Sequence, residues 1–187
     1  MIDKVVKRLF IGVMINEKLV TDIANTKARL EAKVTGKWVS PENAHLTLKF
    51  LGNRSSDEVK DIAEMIKKSV EGIKSFNLRT TGIGCFPNSN RARVLWLGLE
   101  DDERLLTIKK EIEARSSVMG LEEDSREYHP HLTLARFKNK MRVDIQRINE
   151  EIAIMRELPV ERVTLFESKL SRDGAKYYSL ENIQLLA

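Results

Sequence analysis

The sequence predicts an α+β protein built as two similar lobes facing each other over a central cleft. Three observations carry that prediction. The string His-Leu-Thr-Leu occurs twice, in "HLTLKF" from His45 and in "HLTLAR" from His131, eighty-six residues apart. The segments around both copies follow one order: strand, helix, strand bearing HLTL, helix, strand. Finally, 42% of the 187 residues are hydrophobic and 32% charged, which suits a soluble globular chain with one sizeable core or two small lobes.

The elements follow in chain order. "VVKRLFIGVMI" reads as a buried strand. "NEKLVTDIANTKARLEAKV" reads as a helix behind Asn16 as N-cap, with Val20, Ile23, Leu30 and Val34 on one side. "HLTLKFLG" is the next strand. "SSDEVKDIAEMIKKSVEGI" begins with the capping-box spacing Ser55-x-x-Glu58, and Val59, Ile62, Ala63, Ile66, Val70 and Ile73 keep the helical period. "FNLRTTGIGCF" and "RVLWLGL" are strands rich in β-branched and aromatic residues. A third helix runs through Leu105, Ile108, Ile112 and Met119, stopped by Gly120. "HLTLARF" follows. A fourth helix uses Ile145, Ile148, Ile152 and Met155 and ends before Pro159. "VERVTLFESKL" and "YYSLENIQLL" close the chain as strands.

A shift of eighty-six carries Gly12 onto Gly98, His45 onto His131 and Thr47 onto Thr133. It also carries Val59, Ile62 and Ile66 onto Ile145, Ile148 and Ile152. The repeat therefore divides the chain at about 1–90 and 91–187. No Pro/Gly/Ser-rich linker separates the halves, so residues 1–187 are read as one bilobal domain.

The apolar runs "LFIGVMI" and "VLWLGL" are too short to span a bilayer, and "MIDKVVKRLF" lacks the pattern of a secretory signal. The single cysteine, Cys85, excludes an internal disulfide and fits a reducing compartment, so the chain is read as cytoplasmic and without a membrane partner; a monomer is expected, although the sequence itself is silent on oligomeric state. A net charge of +4 suits a polyanionic partner.

Within a strand, residues two apart share a face. His45 and Thr47 point one way while Leu46, Leu48 and Phe50 point the other. His131 and Thr133 pair in the same manner, backed by Leu132 and Leu134. A pseudo-twofold axis would bring two imidazoles and two hydroxyls together across one cleft. This set suits phosphoryl chemistry. Near neutrality one imidazole can be neutral and accept a proton from an attacking oxygen, while the other is protonated and donates to the leaving oxygen. The threonine hydroxyls can donate to the non-bridging oxygens as charge develops. One motif alone cannot supply both acid and base.

The chain resembles the 2H phosphoesterase superfamily, named for paired His-x-Thr-x motifs, and within it the RNA 2′,3′-cyclic phosphodiesterase, or 2′-5′ RNA ligase-like, group. "RLFIGV", "HLTLKFLG", "FPNSNRARVLWLGL", "HPHLTLARF" and "LFESKLSRDGAKYYSL" follow the pattern in order over nearly the whole chain. The resemblance implies a bilobal α+β fold, each lobe with an antiparallel sheet, a basic central cleft and no metal. It implies RNA ending in a 2′,3′-cyclic phosphate as substrate, from tRNA halves to nucleotides, opened to a 2′-phosphomonoester, with 2′-5′ ligation as the reverse. His45 would be the proton donor, His131 the proton acceptor, and Thr47 and Thr133 would hold the phosphate. The residues themselves are symmetric and leave the acid and base labels interchangeable. Arg136 matches a substrate-contacting position, although strict alternation sets it on the leucine side; either the strand bulges there or Arg136 acts from the rim.

Phe10, Phe86 and Tyr177 or Tyr178 are candidates for stacking on a base. Arg8, Arg91, Arg93 and Arg172 are either solvated surface or RNA contacts. His129 and His131 in "HPH", with His45, would be a metal donor set, but no carboxylate or cysteine lies close to the motifs to complete it. No metal or other cofactor is expected, and His129 is read as cleft rim or structural. The competing reading is an RNA-end or nucleotide-binding protein with little hydrolytic activity.

Overall fold

The computed structural model describes residues 5–171 and 174–187. Strand β1 (Val6–Met14) leads into helix α1 (Glu17–Leu30), whose N-cap Asn16 accepts from the Leu19 amide at 3.0 Å. A two-residue strand β2 (Lys37–Trp38) precedes β3 (His45–Ser55). Ser55 and Glu58 form the expected capping box, over a short 3₁₀ turn that enters α2 (Val59–Ser69). Strands β4 (Phe76–Phe86) and β5 (Ala92–Leu99) form a hairpin. Asp102 caps α3 (Glu103–Val118), and Gly120 sits at φ +73° just beyond its end, a left-handed position that suits glycine. Then come β6 (His131–Met141), α4 (Ile145–Glu151), β7 (Glu157–Val160), β8 (Arg162–Ser171) and β9 (Gly174–Gln184).

Helices α1 and α2 end at Leu30 and Ser69, short of the expected Val34 and Ile73, and two further elements differ. The fourth helix stops at Glu151 rather than Met155, because the chain beyond it is recruited to the edge of β4. The Thr80 amide donates to the Arg156 carbonyl at 2.9 Å, and the Thr80 hydroxyl donates to the Ile154 carbonyl. The strand expected from Val160 is split at Glu161: β7 pairs with β4, whereas β8 pairs with β1.

The strands form one antiparallel sheet in the order β7-β4-β5-β6-β3-β1-β8-β9, with β2 beside β6. At its centre β3 meets β6 through a single pair, Leu46 with Leu132. One lobe is thus β3-β1-β8-β9 and the other β6-β5-β4-β7. The shift of eighty-six superposes β1 on β5, β3 on β6 and β4 on β8. Yet β4, from the first half of the chain, lies beside β5, and β8, from the second half, lies beside β1. The first half thus contributes β4 to the lobe of β5 and β6, and the second half contributes β8 and β9 to the lobe of β1 and β3, so the sequence repeat and the spatial lobe are different units.

The core is continuous across the seam. Leu46 and Leu132 are fully buried, as are Ile11, Leu95, Ile62 and Ile112 from the flanking elements. At about 1.5–3 kcal/mol for each fully buried aliphatic side chain, this shared core holds the two motif-bearing strands in place.

Candidate active site

Both motif strands begin at their histidine, and the antiparallel sense of the Leu46–Leu132 pair sets His45 across from Thr133 and Thr47 across from His131. The leucines point into the core while the histidines and threonines remain half-buried on the opposite face. Gly12 permits this arrangement. A Cβ there would lie 2.6 Å from the Leu46 carbonyl oxygen, so any side chain would push β1 away from the start of β3.

Each imidazole is held by the same local bond. His45 Nδ1 lies 2.7 Å from the Asn43 carbonyl oxygen, and His131 Nδ1 lies 2.7 Å from the His129 carbonyl oxygen. A carbonyl only accepts, so Nδ1 carries the hydrogen in both rings. Nε2 is left to accept a proton when the ring is neutral and to donate one when it is charged. Burial lowers both pKa values below the ordinary histidine value. The Arg136 guanidinium lowers both further, as do His131 for His45 and His129 for His131; the carbonyl bonds act in the opposite direction.

Arg136 reaches this face because the strand bulges. β5 pairs Leu95 with Ala135 and then Trp96 with Thr133, leaving Leu134 as an extra residue. β1 pairs Ile11 with Lys49 and then Gly12 with Thr47, leaving Leu48 extra at the equivalent position. Each bulge inverts the alternation. Lys49 and Ala135 become buried, and Phe50 and Arg136 turn out to the histidine side. The bulges are secured differently: the Val39 amide donates to the Leu134 carbonyl at 2.8 Å, and the Tyr128 hydroxyl donates to the Thr47 carbonyl at 3.1 Å.

His45, Thr47, Thr133, Arg136, Phe10 and Tyr177 line one cleft of about 470 Å³, within the usual size for a ligand pocket. No residue of the four helices lines it. Arg8, Phe50 and Arg126 line it too, and no carboxylate does among the described residues. Among those residues no group of three or more His, Cys, Asp or Glu is placed to hold a metal ion.

The profile of the 2′-5′ RNA ligase superfamily matches residues 19–172. The chain belongs to this superfamily. Two curated relatives bear the name RNA 2′,3′-cyclic phosphodiesterase. The one from Aquifex aeolicus is 30% identical over 96% of this chain and 98% of its own length. The one from Methanothermobacter thermautotrophicus is 32% identical over 95% and 98%. A crystal structure of TT0787 of Thermus thermophilus superposes with a TM-score of 0.82 at 28% identity, covering 95% of this chain and 97% of that one. E. coli LigT in its apo form shares the fold, with a TM-score of 0.78 at 24% identity over 97% and 99%.

Within this member of the 2′-5′ RNA ligase superfamily the four aromatic candidates take four different positions. Phe10 is only 2% exposed; its ring is covered by His45 at 4.7 Å and Tyr177 at 5.0 Å and stacks on Phe166 at 4.8 Å. It buttresses His45 and offers no face to a base, which corrects the stacking expectation. Phe86 stands edge-on to His131 at 5.2 Å, beside Trp96, the counterpart of Phe10 in the repeat. Tyr177 is half-buried in the cleft wall, edge-on to His45 at 4.9 Å. Tyr178 faces elsewhere, with Lys169 over its ring. Of the basic candidates, Arg8 lines the cleft and the exposed Arg91 and Arg93 do not; Arg172 lies outside the described residues. His129 is half-exposed, 3.6 Å from Glu127, and acts through its carbonyl. Burial raises the Cys85 thiol pKa, as for an unactivated cysteine.

The sequence reading missed Phe50, Arg126 and Tyr128. For Phe50 a signal existed, since the shift of eighty-six carries it onto Arg136.

Proposed function

We propose that this protein is an RNA 2′,3′-cyclic phosphodiesterase that opens a terminal cyclic phosphate to a 2′-phosphomonoester. The observation that carries the reading is the pair of His-x-Thr strands joined at Leu46–Leu132, with both Nδ1 atoms committed to carbonyls. The names borne by the relatives support the substrate class.

His131, neutral, takes a proton from water at Nε2 as the water oxygen attacks phosphorus. His45, protonated, gives its Nε2 proton to the departing 3′ oxygen as the P–O3′ bond breaks. The products are a free 3′-hydroxyl and a 2′-phosphate. Thr47, Thr133 and the Arg136 guanidinium stabilise the charge that builds on the non-bridging oxygens. The assignment of donor to His45 and acceptor to His131 rests on the family resemblance. A 5′-hydroxyl in place of the water, deprotonated by His131 while His45 protonates O3′, would form a 2′-5′ phosphodiester as the P–O3′ bond breaks, which is ligation; the exchanged protonation states left by that step suit its reversal. The lone cysteine, Cys85, supports a cytoplasmic setting, and no helix among the described residues is long and apolar enough to cross a membrane.

The test is incubation of a 2′,3′-cyclic-phosphate RNA with the protein in EDTA, followed by identification of the product. A 2′-phosphate formed at an undiminished rate is expected. A protein that binds RNA ends and leaves the cyclic phosphate intact from pH 5 to 9 would return the case to the binding-protein reading. Activity abolished by EDTA and restored by zinc would overturn the metal-free mechanism.

A further inference from the structure

The cleft, which is lined by His45, Thr47 and Thr133 but not by His131, continues along β1 and β3 beyond Thr47, and its floor there has an order. Regular alternation along β1 sets Gly12, Phe10 and Arg8 on the cleft face, opposite Thr47, Phe50 and Asn53 of β3. From the motif outward the floor therefore presents Thr47, then the Phe50 ring, 59% exposed, then Arg8. Arg8 lies four residues along β1 from Gly12, about 13 Å at roughly 3.3 Å per residue. Arg126 also lines the cleft but is already engaged by Asp124 through two bonds of 2.7 and 2.8 Å. Arg8, like Arg136, pairs with no carboxylate among the described residues. An unpaired guanidinium in a cleft without carboxylates is an anion site, and an exposed ring between two such sites matches the phosphate–base–phosphate repeat of single-stranded nucleic acid.

Building on the hydrolytic reading above, we propose that Arg8 binds the 5′-phosphate of the terminal nucleotide while Phe50 stacks on its base. The preferred substrate is then an RNA end, whose last nucleotide carries a 5′ phosphodiester, rather than a nucleoside cyclic phosphate. The repeat explains why the site is one-sided. The counterpart of Phe50 in the second lobe is Arg136, which serves the reacting phosphate, so only the first lobe presents an aromatic platform at this position.

Two compounds test the inference: adenosine 2′,3′-cyclic phosphate with and without a 5′-phosphate. The readout is the ratio of their kcat/KM values, which cancels any general effect of a substitution on catalysis. The wild type is expected to favour the 5′-phosphorylated compound about tenfold, the usual scale of a partly exposed charge-assisted bond. Arg8→Ala should bring the ratio close to one, and Arg8→Lys should keep part of it. The wild-type ratio should fall as added salt screens the contact between Arg8 and the 5′-phosphate, and that salt dependence should vanish in Arg8→Ala. Phe50→Ala should raise KM for both compounds. A wild-type ratio near one, or a ratio that survives Arg8→Ala, overturns the proposal, and an unchanged KM in Phe50→Ala removes the base from this path. If the wild type opens neither compound, the hydrolytic reading itself falls, and this inference with it.

Discussion

The residue that follows the first HLTL motif is a lysine turned into the core, and its removal has a calculable consequence. The Lys49 side chain is 2% exposed; its ammonium pairs with Glu113 of α3 and donates to the Glu122 carbonyl at 2.8 Å. Glu113 also pairs with Lys109, and both of those side chains are largely buried. Two ammonium groups thus share one carboxylate, and the network ties the bulged strand to the segment that carries Arg126 and Tyr128. Glu113→Leu would strand both of them, and breaking such a pair costs about 3–5 kcal/mol. Lys49→Met should cost less, about 1–3 kcal/mol, because Glu113 keeps Lys109 and only the Glu122 carbonyl loses its donor. The double variant Lys49→Met/Glu113→Leu should be more stable than Glu113→Leu alone, since one of the stranded charges is gone. Urea unfolding measures all three, and calorimetry should show Tm lowered by about 6–20 °C for Glu113→Leu in a domain of this size. The pH dependence has a definite sign. Burial pushes the Glu113 carboxyl up, but Lys109 and Lys49 together hold it below its ordinary value. Its stabilising contribution is therefore present above the unfolded carboxylate value near pH 4.3 and lost as pH falls through the lower folded value. A Glu113→Leu variant within about 1 kcal/mol of wild type, or a double variant less stable than Glu113→Leu, would refute this account.

Three further outcomes are expected. His45→Ala and His131→Ala should each lower the hydrolysis rate by roughly 10² to 10⁴, and the double variant should be little worse, because a donor and an acceptor in one step act as a unit; losses that multiply would show two independent roles. The profile of kcat/KM against pH should be bell-shaped with its maximum below about 6.5, since the productive state holds one proton between two rings whose pKa values are both lowered; a maximum above that value in the free enzyme would contradict the effect of burial and of Arg136 on the two rings. Neither residues 1–90 nor 91–187 alone should fold, because β4 and β8 each complete the other half's lobe; a cooperative urea transition for either fragment would count against the exchange.

Much of the site was legible in the sequence because its information is local and repeated. His-x-Thr needs only the two-residue period of a strand to place both groups on one face, and the shift of eighty-six matched the elements: β3 and β6 begin at the two histidines and end at equivalent positions, Ser55 and Met141. Arg136 was harder. The string LTLAR has the same hydrophobic pattern whether or not an extra residue intrudes at Leu134, so only the pairing with β5 reveals the bulge that turns the guanidinium outward. Phe10 misled for a related reason. An aromatic residue on a cleft-facing strand position looks available, and only the rings of His45, Tyr177 and Phe166 packed around it show that it is covered.

By itself, then, the sequence determined the α+β class, the twofold repeat and the two His-x-Thr pairs, all of which follow from side-chain periodicity along the chain. Which strand lies beside which was decided only in three dimensions. The shift of eighty-six gives β4 and β8 equivalent places in the two halves, so the repeat alone does not say which of β1 and β5 each lies beside. The choice that weaves the halves together, and with it the seam at Leu46–Leu132 that sets each histidine opposite the other motif's threonine, depends on contacts between residues far apart in sequence, which no local pattern encodes.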